Sequence, residues 1–325
     1  MNIAIIGAKN FDSIEFHIHE ELHMQGHNVM IFDYNIFLPQ KIDLGISLLS
    51  IKYIKSKNEA LLDKVLGFKP DLVICIYRHI HPLVVKGVKE KGIKIIHINP
   101  DALTTFQNQQ LFVQPYDAYF TKDPYIVRFM KDKLQLNAFQ YQEAFNPRIH
   151  KQPEVDLYEL EKDIDIDVLC FGNLYPYRNR MLRVLKEENI SIKTFGKKAK
   201  YFDPFLNSNF QNKALYGMEK SKVLNGSKIV FNNFHYAEVE SVNNKFFEIN
   251  GAGAFQISDY KPILHDLLPI DPRKVSFNTI DEAVSLIKNY INQPEERIEI
   301  RQLIQNHFSK NYTYKQMLEG IFKNI

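Results

Sequence analysis

The stretch "KIVFNNFHYAEVESVNNKFFEINGAGAFQIS", residues 228–258, decides the fold. Two apolar runs, 228–234 and 254–258, enclose a segment of helical length that Asn243 is suited to cap and Gly251 and Gly253 to end. Apolar runs alternating with amphipathic helices are what a parallel sheet covered by helices produces. The rhythm continues outward in both directions. Upstream lie "NIAIIG" (2–7), "NVMIFDY" (28–34), "DLVICIY" (71–77), "IKIIHIN" (93–99) and "AYFT" (118–121), then "IDVLCFGN" (166–173) and "SIKTFG" (191–196). Downstream comes "KVSFN" (274–278), then helices from about 280 onward.

The chain has 325 residues, more than a single core usually holds, and its 45% hydrophobic content is enough for two. Residues 146–165, "NPRIHKQPEVDLYELEKDID", interrupt both periodicities with two prolines and many charges and are the expected join. The expectation is therefore α/β: two facing Rossmann-like domains with parallel sheets, 1–152 and 153–325, and C-terminal helices packing across them. Thr279 to Glu282 reads as a capping box, with Val284, Ile287 and Ile291 following on one face, and Pro294 opens a further helix.

With 41 basic and 38 acidic residues, the net charge of +3 implies no nucleic-acid-binding surface by itself. No apolar stretch approaches the roughly 18 residues of a membrane span, and the opening residues lack the grammar of a signal peptide. Cys75 and Cys170 sit inside apolar runs, which suits two buried thiols without a disulfide in a reducing, cytoplasmic compartment.

In open α/β sheets ligands gather at the carboxyl ends of the strands. The segment from Asn243 begins there, and its free N–H groups, positive dipole end and Lys245 suit a phosphate or diphosphate. Glu248, one turn on and on the face of Asn244 and Lys245, suits a ribose diol. The plainer reading of the same residues is an amphipathic helix with a surface Lys–Glu pair and a glycine cap.

Resemblance adds to this. Glu240 and Glu248, seven residues intervening, with a basic residue three before the second, resemble the nucleotide-sugar motif of two-Rossmann-domain (GT-B) glycosyltransferases. More closely, "NNKFFEINGAGAFQISDY" is similar to the Asn-x-Arg-x-Phe-Glu and small-Gly-small pattern of the spore-maturation CgeB-like glycosyltransferases, with Lys245 replacing the commoner arginine and so losing bidentate geometry. "LCFGNLYPYRNRMLRVLKE" (169–187), "HINPDALTTFQNQQ", "YDAYFTKDPYIVRFM", "EAFNPRIH" and the tail "PEERIEIRQLIQNHFSKNYTYKQML" resemble further parts of that family. The likeness covers about 95–318 and is most specific at 243–259; residues 1–90 share only general Rossmann character.

The resemblance implies that Glu248 binds the ribose, Asn244 and Lys245 the diphosphate, and Glu240 the sugar or reacting centre. Gly172 and Asn173 would form the first phosphate-side turn, Arg178 would neutralise the leaving group, and Thr194, Phe195 and Gly196 would stand where the base is held. "YRNRMLRVLKE" also reads as a merely solvated helix, and Phe195 as core. The first domain would bind the acceptor, with Asp101, His79, His81 or Asp12 as possible bases; a loop aspartate is more often a helix cap, and a lone histidine more often packs quietly.

Gly7 begins no Gly-x-Gly-x-x-Gly signature, and no Gly-Lys-Ser/Thr phosphate loop occurs. No HExxH or paired cysteines accompany the histidine pairs His17/His19 and His79/His81, so no tightly held metal is expected. "DIDID" (163–167) reads as linker charge rather than a metal-binding Asp-x-Asp. The expected activity is transfer of a sugar from a nucleoside diphosphate sugar, with retention and without other cofactor. The acceptor, whether polysaccharide, lipid-linked, protein or nucleic acid, is open. A sugar-nucleotide epimerase and a non-catalytic two-lobed sugar or nucleotide binding protein are the competing readings.

Overall fold

A computed structural model describes residues 1–33, 45–46, 49–76, 80–103, 111–198 and 200–325. The chain divides into two compact units, one of 1–142, 237–239 and 314–325, the other of 143–236 and 240–313.

In the first unit the order is β1 (Asn2–Ile6), α1 (Ile14–Met24), β2 (Asn28–Phe32), α2 (Ile51–Gly67), β3 (Leu72–Cys75), α3 (Pro82–Glu90), β4 (Lys94–Asn99), β5 (Ala118–Thr121), α4 (Pro124–Asp132) and β6 (Ala138–Gln140). The strands pair in the order β2-β1-β3-β4-β5-β6, all parallel. Strands covered on both faces by helices can be apolar at successive positions rather than at alternate ones. Accordingly Ile3 to Ile6 and Leu72 to Cys75 are buried without a break. Ala4, Ile6, Val73, Cys75 and Ile95 meet Val84, Val85 and Val88 of α3 in the core.

The second unit runs α5 (Leu157–Ile164), β7 (Ile166–Leu174), α6 (Pro176–Glu187), β8 (Ile192–Lys198), β9 (Phe210–Gln211), α7 (Gly217–Asn225), β10 (Ser227–Asn232), α8 (Asn244–Gly251), β11 (Gln256–Asp259), α9 (Leu264–Leu267), β12 (Ser276–Phe277), α10 (Ile280–Ile291) and α11 (Pro294–Asn311). The last helix, α12 (Tyr314–Phe322), belongs to the first unit, where it packs on α1. The strand order is β12-β11-β10-β7-β8-β9, again parallel throughout. From β7 the chain builds outward through β8 and β9, then returns to build the other half from β10. That reversal leaves a crevice at the carboxyl ends of β7 and β10.

Each of the ten apolar runs contributes a strand. The sequence reading did not name β6 and β9, three and two residues long at sheet edges, which are too short to show a period. Residues 157–164, part of an irregular join by their sequence pattern, form α5. There Asp156 accepts from the N–H groups of Tyr158 and Glu159, and Leu157 and Leu160 bury one face of a helix. At the other end of the unit Thr279 caps α10 by accepting from Glu282 N, while Glu282 accepts from Asn278 N rather than from Thr279 itself. Cys75 and Cys170 are buried free thiols. Among the described residues no helix is long and apolar enough to cross a membrane.

Candidate functional site

The crevice between β7 and β10 is built first from glycine. Gly172 (φ +99°) and Gly196 (φ +135°) are paired neighbours on β7 and β8. A Cβ on Gly196 would collide with the Gly172 carbonyl, so only glycine lets the two backbones approach so closely. A Cβ on Gly172 would instead stand 3.4 Å from Lys245 Nζ and 3.9 Å from Arg178 Nη1. Two cations thus converge on the carboxyl end of β7. Lys245 Nζ donates to the Phe171 carbonyl at 3.1 Å and lies 5.3 Å from the centre of the Phe171 ring.

Arg178 is buried and spans the crevice. It donates from Nη1 to Asn173 O at 2.7 Å, from Nε to Asn233 Oδ1 at 2.7 Å and from Nη2 to Asn233 O at 3.1 Å. The solvated-helix reading of its segment holds instead for Arg180, which is exposed, and for Arg183, which pairs with Glu187 and Asp203 near the surface. Asn233 is 1% exposed, yet its Nδ2 finds no hydrogen-bond partner among the described residues. A buried donor left unmatched costs stability unless water or a ligand meets it.

On the β10 side α8 starts where the sequence places it. Asn243 Oδ1 accepts from Phe246 N at 3.0 Å, and its amide exchanges two hydrogen bonds with that of Asn232, at 2.9 and 3.1 Å. Asn232 also donates to Gln256 at 3.0 Å, so an amide ladder fixes the helix start against the end of β10. Behind it Phe246 and Phe247 are buried against Phe308 of α11. The first turn of α8 therefore presents its N–H groups at the crevice, on a rigid base.

Glu248 is no surface partner of Lys245. It is 6% exposed, and its Oε2 accepts from the buried Lys220 of α7 at 3.0 Å while Oε1 accepts from Asn244 Nδ2 at 2.7 Å. The other end of the Asn244 amide, Oδ1, is buried without a partner among the described residues. Lys220 supplies the countercharge that lets a carboxylate stand in the interior.

Beside these groups Asp259, at the end of β11, accepts from Phe234 N. Burial pushes its carboxyl up to about 6, against the pull of that N–H, Lys261 and Arg178.

The other sequence candidates are placed as follows. Asn173 is exposed at the crevice, its carbonyl held by Arg178. Thr194 is wholly buried and donates to Asn209 O at 3.2 Å, so its side chain offers no surface to a ligand. Phe195 packs against the apolar cluster of Ile166, Leu169 and Phe171, in keeping with its reading as core. Glu240 is half-buried in the loop that precedes α8. In the first unit Asp101 follows β4, its carbonyl accepting from the Asn99 amide, and His79 lies outside the described residues. His81 caps α3, its Nδ1 accepting from Leu83 N at 3.2 Å, and Asp12 pairs with His17 at 3.0 Å.

Sequence reasoning missed Lys220, Asn233 and Asp259. Asn233 and Asp259 stand at strand ends, where the carboxyl-end rule directs attention, but Lys220 reaches Glu248 from 28 positions away and leaves no local trace.

Comparisons with known proteins bear on the family and the fold. Residues 178–323 match a protein family described as glycosyl transferase-like. No protein of curated function matches in sequence. In fold, 99% of the chain superposes on 97% of sucrose-phosphate synthase from Thermosynechococcus elongatus, at 10% identity and a TM-score of 0.70. It covers 98% of Anabaena HepE, solved in complex with UDP and glucose, over 99% of its own length (11% identity, TM-score 0.68). A glycosyltransferase from Rickettsia africae is covered over 97% of its length by 99% of this chain (10% identity, TM-score 0.65). Over residues 178–323 the chain is therefore glycosyl transferase-like in sequence, and over its whole length it has the two-Rossmann-domain fold of the glycosyltransferases.

Proposed function

We propose that this protein is a cytoplasmic, retaining, metal-independent glycosyltransferase of CgeB-like type, which moves a hexosyl or related group from a UDP-sugar to a separate acceptor. The observation that carries the reading is the convergence on Gly172 of Arg178 and of Lys245 from the first turn of α8, with the Glu248 carboxylate one turn deeper. Breaking a glycosidic bond to a diphosphate develops negative charge on the leaving oxygens, and preorganised donors aimed there lower the barrier. Lys245 and the first-turn N–H groups supply donors in this proposal, while Arg178 holds the two strand ends and turns Nη1 toward the same spot.

Glu248 accepts from the ribose hydroxyls. Its carboxylate is held in place from two sides, by Lys220 at Oε2 and by Asn244 at Oε1. Glu240 meets the transferred sugar, and Asp101 is the candidate base of the first unit.

Calorimetric titration with UDP, GDP, TDP and CMP tests the site. The expected result is binding of UDP, weakened about tenfold in Lys245→Ala by loss of one charge-assisted contact and comparably in Glu248→Gln. Unchanged affinity in both variants would remove the donor site. Product analysis with labelled UDP-glucose and no acceptor separates the epimerase reading, because an epimerase converts the sugar fully whereas a transferase gives at most slow hydrolysis.

A further inference from the structure

Beyond the charged residues, four rings stand together at the same carboxyl edge of the second unit. Tyr175 leads into α6, Tyr177 lies in its first turn, and His235 and Tyr236 follow β10. Tyr175 and Tyr177 are stacked, 5.8 Å between centroids and 11° between planes. His235 stands edge-on to both at 5.6 Å and stacks on Tyr236 at 4.3 Å, and Tyr236 meets the edge of Tyr177 at 5.8 Å. The cluster is nevertheless open to solvent: Tyr236 is 79% and Tyr175 38% exposed. It is continuous with the crevice, since the Asn173 side chain donates to the Tyr175 hydroxyl at 3.3 Å while its carbonyl holds Arg178.

We propose that this ring cluster is an acceptor subsite, additional to the one expected on the first domain, and that it takes a carbohydrate chain, whose pyranose rings lie on Tyr236 and Tyr175. The assignment rests on the glycosyltransferase reading for the word acceptor; the carbohydrate specificity rests on the rings. A pyranose has an apolar C–H face and a hydroxyl rim. Tyrosine and histidine match it with an electron-rich face and a polar margin, whereas a lipid tail would gain nothing from those margins. Because each ring is braced by another, the faces are ordered before the ligand arrives, and little side-chain entropy is lost on binding. A donor brings one transferable sugar; a glycan brings consecutive rings enough to cover both exposed tyrosines.

Saturation-transfer NMR on the full chain tests this, using trisaccharides of glucose, galactose, mannose and N-acetylglucosamine as probes, with phosphatidylglycerol vesicles in a parallel sedimentation arm. At least one trisaccharide should bind, with saturation strongest at its axial ring protons. Its affinity should fall about three- to tenfold in Tyr236→Ala and stay within about twofold of wild type in Tyr236→Phe. UDP affinity should be the same in all three proteins. Failure of every trisaccharide to bind, equal binding to Tyr236→Ala, or sedimentation with vesicles that depends on Tyr236 would overturn the assignment. If UDP fails to bind the wild type while the trisaccharide result holds, the donor reading falls and the carbohydrate subsite stands.

Discussion

Lys220 and Glu248 show how one residue's role depends on a partner far away in the chain. Their ion pair is buried at both ends, so its loss on one side leaves an uncompensated interior charge. Lys220→Met should cost about 3 kcal/mol in urea denaturation and weaken UDP binding, and adding Glu248→Gln to it should restore part of the stability without restoring UDP affinity. Asp259 makes the pH dependence at this scale. Its folded pKa of about 6 lies above the reference 3.8, so between those values the folded state holds a proton that the unfolded chain has released. Stability therefore falls as pH rises through that window, and the penalty is complete above it. Relative to wild type, Asp259→Asn should flatten this fall, by no more than about 3 kcal/mol, in denaturation curves taken from pH 4 to 7. Binding of UDP-glucose should also tighten as pH drops below about 6, because protonation removes a negative charge beside Arg178. An Asp259→Asn protein that keeps the full slope would show that another group is responsible.

Among the elements, α8 is where local sequence and the site coincide. Its start was legible because Asn243 can satisfy an N–H that no carbonyl reaches, a preference set by the residue's own chemistry. The second use of that amide, in the ladder with Asn232, was not legible, since it depends on β10 ending opposite the cap. Asn243→Ala should consequently cost more than an isolated cap, about 2 kcal/mol rather than about 1, in the same denaturation assay, whereas Thr279→Ala at the start of α10 should cost about 1. The strands were legible where an apolar run is long enough to have a boundary. The edge strands β6 and β9 were not, because their pairing is supplied by the neighbouring strand rather than by their own pattern.

At the scale of the whole molecule, the last helix belongs to the compact body that the first residues begin. Tyr314 lies 5.0 Å from the His17 ring, and Tyr314, Leu318 and Ile321 are each 1% exposed or less. Removing 314–325 should therefore destabilise the first unit by on the order of 5 kcal/mol, given about 1.5–3 kcal/mol for each fully buried side chain. Hydrogen exchange should locate the loosened amides in α1, and unchanged protection there would contradict this assignment. The sequence by itself determined the parallel α/β architecture, the strands of both sheets apart from two short edges, and the helix starts at Asn243 and Thr279. These follow from burial periodicity and from backbone groups that must be satisfied locally, both of which are written in short windows of residues. Only the tertiary structure decided that Arg178 bridges two strand ends, that Glu248 answers to Lys220, that Thr194 faces the interior and that four rings gather beside Asn173. Those outcomes depend on which strand ends the chain reversal between β7 and β10 brings side by side, and no local window contains that distance.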